Sequence, residues 1–213
     1  DIVAGWKVLT ESDARIKKVQ GISDGAQDLL TLSSIEITDY TMKDHIRSGN
    51  TQYKKVIAQQ VESVYPLAVG TTTNFIPNVY DFAQIEDGRL NIGIKVKVND
   101  ELKLIIDGQH ETIAKVISIE DELAVLDIDY TGEIFVYGKR VNDFKVVDYD
   151  ALSMLNVSAT QELFKRMMEL ENLSERLQTE NASLKADVSQ LKSMSADIEL
   201  LKEAMGIDLK ASK

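Results

Sequence analysis

Leu163, Leu170, Leu177, Leu184, Leu191 and Ile198 recur every seventh residue through a stretch with no proline, and with no glycine before Gly206. A strict seven-residue repeat aligns its apolar side chains along one stripe of a slightly under-wound helix, and water does not tolerate such a stripe unless another surface covers it. The spacing predicts one helix from Asp148 to about Met205, and it demands a partner. With these residues at heptad position d, position a reads Met167, Ser174, Asn181, Val188, Ser195 and Lys202. The polar members weaken a simple two-stranded zipper, because a buried polar group costs stability unless it is paired. Leu173, Met194 and Leu201 fall at position g and widen the stripe, which favours more than two strands or packing against a globular body as well. Asn181 would fix register in either a dimer or a larger bundle. The expected seam is Leu163, Met167, Leu170, Leu177, Asn181, Leu184, Val188, Leu191 and Ile198, with a helix folded back on its own chain as the competing arrangement.

The remainder has to build its core from modest means. Of the 213 residues 44% are hydrophobic and only 6% aromatic, enough for one domain or two. The 24 basic and 35 acidic side chains leave a net charge of -11, and no Lys/Arg cluster breaks the trend, which argues against a nucleic-acid partner. The lack of cysteine removes disulfides and thiolate metal sites. His45 and His110 stand apart without ligand spacing, so neither a metal nor a cofactor is expected. No apolar run approaches the roughly 20 residues that span a bilayer, and no basic-then-apolar leader is present; a soluble chain without a membrane partner is expected. Ile2, Val3, Trp6, Val8 and Leu9 surround a turn residue, Gly5, and read as the end of an upstream β-stalk in a longer protein.

Along the chain, Ser23-Asp24 is a helix cap ahead of Ala26, Leu29, Leu30 and Leu32. Ile35, Ile37 and Tyr40 suit a strand reaching Thr41, and Val56 to Val64 suits a strand running into a short helix that Pro66 ends. Between 71 and 145 the texture changes. Six apolar runs (82–85, 90–98, 102–106, 112–119, 123–128, 133–137) are separated by Asp87-Gly88, Asn99-Asp100, Asp107-Gly108, Glu120-Asp121-Glu122 and Thr131-Gly132. Asp-Gly and Asn-Asp pairs between alternating apolar runs are hairpin signals, and six strands at this spacing predict a small barrel or sandwich inserted into the chain. The acidic turns lack the spacing of a calcium loop and read as solvated surface. No aromatic-lined or convergent polar site is legible in the insert.

The chemistry with the clearest spacing lies in Ser12-Asp13-Ala14-Arg15-Ile16-Lys17. A serine hydroxyl becomes a nucleophile when a neighbour takes its proton, and lysine can do so when burial keeps the amine neutral. Capping and salt bridging are the structural reading of the same six residues. Five residues of regular helix rotate by about 500°, which would leave Ser12 and Lys17 about 140° apart. A working dyad therefore needs either a turn before the helix that folds Ser12 back, or a lysine from a neighbouring chain.

The hexad resembles the Ser-Asp-x-Arg-x-Lys signature of the intramolecular chaperone domain, peptidase family S74, found at the C-termini of phage endosialidases, tailspikes and neck appendages and in myelin regulatory factors. A second block of that family is similar to Val56-Ile57-Ala58-Gln59-Gln60-Val61-Glu62 with Tyr65-Pro66 and Val69, and a third to Val147-Asp148-Tyr149 leading into Leu152, Leu155 and Ala159 to Leu163. The resemblance covers residues 8–70 and 145–205 and leaves the β-rich insert unexplained.

Spacing and resemblance together predict an α+β protein: the turn spacing gives an inserted all-β subdomain (71–145) and the heptads a long C-terminal helix (161–205), while the resemblance implies a small α/β chaperone body (12–70 and 146–160) and a trimeric coiled coil for that helix, between an upstream stalk end (1–11) and a tail (206–213). The resemblance implies a homotrimer that helps an upstream fibre stalk of the same polypeptide to fold and then releases itself. The cut falls between Glu11 and Ser12, with Ser12 as nucleophile and Lys17 as general base. Asp13 and Arg15 would position the turn, and Gln59, Gln60 and Glu62 would pack beside the site. A phage tail or virion fibre, or a secreted or surface fibre, is the implied setting. Two other readings stand beside it: a trimerisation and folding cap that never cuts, and a ligand-binding β-insert carried on a trimeric stalk.

Overall fold

The computed structural model describes residues 2–4, 7–9, 11–92, 96–121 and 123–206. The protein is α+β, with a small β-barrel and one very long helix. It divides into two compact units, residues 1–26 with 158–213, and residues 27–157.

In the first unit, β1 (Ile2–Ala4) and β2 (Lys7–Leu9) pair antiparallel; the turn expected at Gly5 lies outside the described residues. A single 3-10 turn, Ala14–Ile16, follows, and the chain then runs without regular structure to α1 (Gly25–Ser33). The Asp24 carboxylate accepts from the Ala26 amide at 3.0 Å and so caps α1, as the Ser23-Asp24 signal predicts. Gly25 lets α1 start against the long helix: a Cβ there would lie 3.1 Å from Glu162 Cβ and 3.5 Å from the Ser158 carbonyl.

The second unit takes in α1 from Gln27 on and then the hairpin β3 (Thr38–Thr41) and β4 (Gln52–Lys55), which hold between them the one-turn helix α2 (His45–Ser48). The predicted strand over Ile35 to Thr41 thus begins three residues late, because only Thr38 to Thr41 find a partner in β4. Next come α3 (Ala58–Val64) and a 3-10 turn, Pro66–Ala68, whose proline ends the helix as expected.

Seven strands follow: β5 (Val69–Ile76), β6 (Asp81–Glu86), β7 (Arg89–Asn91), β8 (Glu101–Ile106), β9 (His110–Glu120), β10 (Leu123–Leu126) and β11 (Gly132–Val147). The order β11-β6-β7-β10-β9-β8 closes because β8 pairs back onto β11, giving a six-stranded barrel. Of the described residues of the apolar run 90–98, Leu90 and Asn91 are strand, as part of β7; residues 93–95 lie outside the described residues. Turn chemistry sets the register: Asp87 and Gly88, and Asp107 and Gly108, all adopt positive φ at the hairpin tips. Alternation fills the interior with Ile85, Leu90, Leu102, Leu104, Val116, Ile134 and Val136, all essentially inaccessible to water.

Sequence periodicity misses β5, whose Gly-Thr-Thr-Thr-Asn centre has no apolar alternation. It is a strand because the second half of β11 pairs with it, while the first half pairs with β6 on the same side. β5 and β6 are one strand interrupted at Pro77 to Tyr80. At the break the Asn78 amide donates to the Ile76 carbonyl at 2.9 Å, Asn78 Oδ1 accepts from the Lys139 amide at 2.9 Å, and Tyr80 adopts φ +52°.

Helix α4 (Tyr149–Ala204) is continuous over 56 residues, about 84 Å at 1.5 Å per residue. Asp148 caps it by accepting from the amides of Asp150 at 2.9 Å and Ala151 at 3.0 Å. Gly206, at φ +63°, follows its end. An Asp148→Ala chain is expected to lose about 1 kcal/mol, the ordinary worth of such a cap, seen as a lower thermal unfolding midpoint. An Asp148→Ser chain keeps the acceptor and should retain most of it.

Candidate functional site

Ser12 lies just before Asp13, the extended residue that caps the 3-10 turn, and Lys17 follows the turn at φ -113° and ψ 137°. Three residues of turn bring the two side chains together, and Lys17 Nζ donates to Ser12 Oγ at 2.7 Å. A regular helix would have parted them; the short turn folds Ser12 back, so one chain is able to bring both groups within hydrogen-bond reach.

The turn is locked by its own charges. Asp13 Oδ1 accepts from the Arg15 amide at 2.8 Å and from its Nε at 3.0 Å, while Oδ2 accepts from Nη2 at 2.6 Å. The Arg15 side chain, then its amide, holds the Asp13 carboxyl below the usual aspartate range. The folded form binds that proton less tightly than the unfolded chain, so the contribution of the pair is present above the unfolded aspartate value and fades only at lower pH. Asp13 and Arg15 thus cap and brace the turn that lies between Ser12 and Lys17.

The whole segment is open to solvent. Glu11, Ser12 and Lys17 are exposed, as are the large apolar side chains of Ile16, Val19 and Ile22. The other expected helpers lie in the second unit and work there. Gln60 Nε2 donates to the Ser34 carbonyl at 2.9 Å and its Oε1 accepts from the Glu36 amide at 3.2 Å, fixing the chain before β3. Glu62 accepts from Lys145 Nζ at 2.7 Å, tying α3 to β11, and Gln59 is exposed.

On α4, Leu163, Leu170, Leu177, Leu184, Leu191 and Ile198 are each 48 to 66% exposed, and Met167 and Val188 lie open beside them. Asn181 Nδ2 donates to the Leu177 carbonyl of its own helix at 2.8 Å. The predicted stripe is therefore present and uncovered in the single chain.

A second site escapes sequence reasoning. The β-rich segment was expected to hold no aromatic-lined or convergent polar site; folding places one on the outer wall of its barrel. The α2 region and the break at Pro77 to Tyr80 enclose a cleft of about 760 Å³ with Phe75, Tyr80, Phe135, Tyr137 and Phe144 in its walls. Tyr80 stands edge-on to Phe135 (5.0 Å) and Tyr137 (5.8 Å). Its hydroxyl donates to Asp44 Oδ1 at 2.9 Å and accepts from the Ile46 amide at 3.0 Å. Burial, reinforced by Asp44, pushes both the Tyr80 and Tyr137 phenols up, so they remain O–H donors. These residues come from segments 42–48, 74–80 and 135–144, too far apart in sequence to form a motif.

Among the described residues no helix is long and apolar enough to cross a membrane, and no group of three His, Asp or Glu side chains could hold a metal ion. The chain matches no protein-family model and no curated protein sequence.

Proposed function

We propose that this chain is a C-terminal intramolecular chaperone: it assembles as a parallel homotrimer through α4, holds an upstream fibre-like stalk in register while that stalk folds, and then cuts itself free between Glu11 and Ser12. The observation that carries the reading is the 2.7 Å contact of Lys17 Nζ with Ser12 Oγ across a turn fixed by Asp13 and Arg15.

In the proposed reaction, neutral Lys17 takes the Ser12 hydroxyl proton as Oγ attacks the Glu11 carbonyl carbon. The tetrahedral centre collapses with loss of the Glu11–Ser12 C–N bond, and the Lys17 ammonium returns its proton to the departing Ser12 nitrogen. The product is an ester between Glu11 and Ser12 Oγ. Water then hydrolyses this ester, leaving a carboxylate on Glu11 and a free amine and hydroxyl on Ser12. One water is consumed.

Assembly supplies the timing. Lys17 is exposed to solvent in the single chain, and the proposed reaction calls for it to be shielded from water. The uncovered α4 stripe and the exposed Ile16, Val19 and Ile22 are the surfaces through which neighbouring chains would cover it. Gly25, packed against Glu162, links the dyad segment to that same helix.

The test is intact mass over time at concentrations spanning assembly, with oligomeric state followed by sedimentation. A species beginning at Ser12 is expected, accumulating only where trimers form. A trimer that stays whole would make the chain a non-cleaving folding cap, and a monomer at every concentration would sink both readings.

A further inference from the structure

The charges around the aromatic cleft do not balance. Of the acids, Asp44 is occupied by the Tyr80 hydroxyl and by the Arg47 amide at 3.1 Å, and Glu111 accepts from Lys103 Nζ at 2.7 Å. Lys103 is thereby neutralised, and it lies over the Tyr137 ring at 5.3 Å from the centroid. Lys43 and Arg47 also line the cleft, are exposed, and form no ion pair among the described residues. Two cations without an ion pair thus line one aromatic hollow against the single charge that Asp44 keeps while hydrogen-bonded to neutral groups, a local excess of one positive charge in a protein of net charge -11 whose acids outnumber its bases 35 to 24.

The hollow is also built, rather than left over. A single uninterrupted strand in place of β5 and β6 would have no loop at Pro77 to Tyr80 and no Tyr80 ring over β11. The break holds Tyr80 at φ +52°, a conformation that costs a non-glycine residue energy and persists only where its surroundings fix it. Its volume of 760 Å³ falls within the range of small-molecule sites, about 300 to 1,000 Å³. Aromatic walls favour the flat face of a ring, and an arginine beside aromatics favours a carboxylate or phosphate on that ring.

We infer that the cleft between the α2 region and the barrel wall is a binding site for a small ring compound bearing a carboxylate or phosphate. The ring packs among Phe75, Tyr80, Tyr137 and Phe144, with the anion facing Lys43 and Arg47. This stands independently of self-cleavage, since every residue involved belongs to the unit of residues 27–157.

Saturation-transfer NMR on the full chain tests it with two anionic probes, glucuronate and adenosine monophosphate, each beside its neutral counterpart, glucose and adenosine. At least one anion is expected to bind, about tenfold or more tighter than its neutral partner, and Arg47→Glu and Lys43→Glu should each weaken it by about tenfold. Binding of glucuronate alone assigns the site to acidic sugars, and of the nucleotide alone to nucleoside phosphates. Both substitutions replace exposed side chains, so an unchanged thermal midpoint shows that the fold is intact. The inference is overturned if neutral and charged probes bind alike, if the anion survives both substitutions, or if neither anion binds up to about 10 mM, the range of very weak association.

Discussion

A Lys17→Met chain is expected to lose self-cleavage by about 10²- to 10⁴-fold while still assembling, the usual worth of a positioned general base. Ser12→Ala should abolish the fragment altogether, because it removes the proposed nucleophile. Lys17→Arg should fail like Lys17→Met: a guanidinium keeps the charge and the reach but does not deprotonate in proteins, so it cannot accept the serine proton. Because Nζ and Oγ meet within one chain, mixing Ser12→Ala chains with Lys17→Met chains should not restore cutting. Intact mass of the mixed trimers reads the result directly. Recovery of the Ser12 fragment in the mixture would show that the lysine acts across the interface instead, and a Lys17→Arg chain that cuts at the parent rate would remove the general-base role.

Gly138→Ala is expected to destabilise the second unit by about 3 to 5 kcal/mol, among the larger effects of single substitutions. Gly138 sits at φ +151°, where β11 passes the break between β5 and β6, and a Cβ would overlap the Ile76 carbonyl oxygen and lie 2.7 Å from Asn78 Oδ1. Neither neighbour can yield. The Asn78 amide bonds the Ile76 carbonyl, and Asn78 Oδ1 bonds the Lys139 amide, so the clash must move backbone on both strands. Gly108 provides the comparison: at φ +69° with nothing within 4 Å of an added Cβ, its alanine variant should lose only the left-handed penalty, about 1 to 2 kcal/mol. Denaturant unfolding separates the two. Equal losses would mean that the strand break yields easily and does not hold Tyr80 in place.

What the sequence determined by itself is what depends on neighbours along the chain. The heptads from Leu163 to Ile198 place a continuous helix where α4 lies, because helical phase is a local property. Asp87-Gly88 and Asp107-Gly108 mark their hairpins, because those tips need positive φ whatever surrounds them. Ser12 and Lys17, five positions apart, name a pair, yet their spacing leaves open whether one chain can join them. The tertiary structure closes that question through a turn of only three residues, stopped because Lys17 is extended and stapled by Asp13 to Arg15. It alone decides that Gly70 to Asn74 is strand, since the partner that makes it one lies in β11, some 70 residues on. It alone gives Gln60 and Glu62 their work, as ties to Ser34, Glu36 and Lys145. It alone gathers Lys43, Arg47, Tyr80 and Tyr137 around one cleft. Such groupings are set by which strands close the barrel, and no local period records that closure.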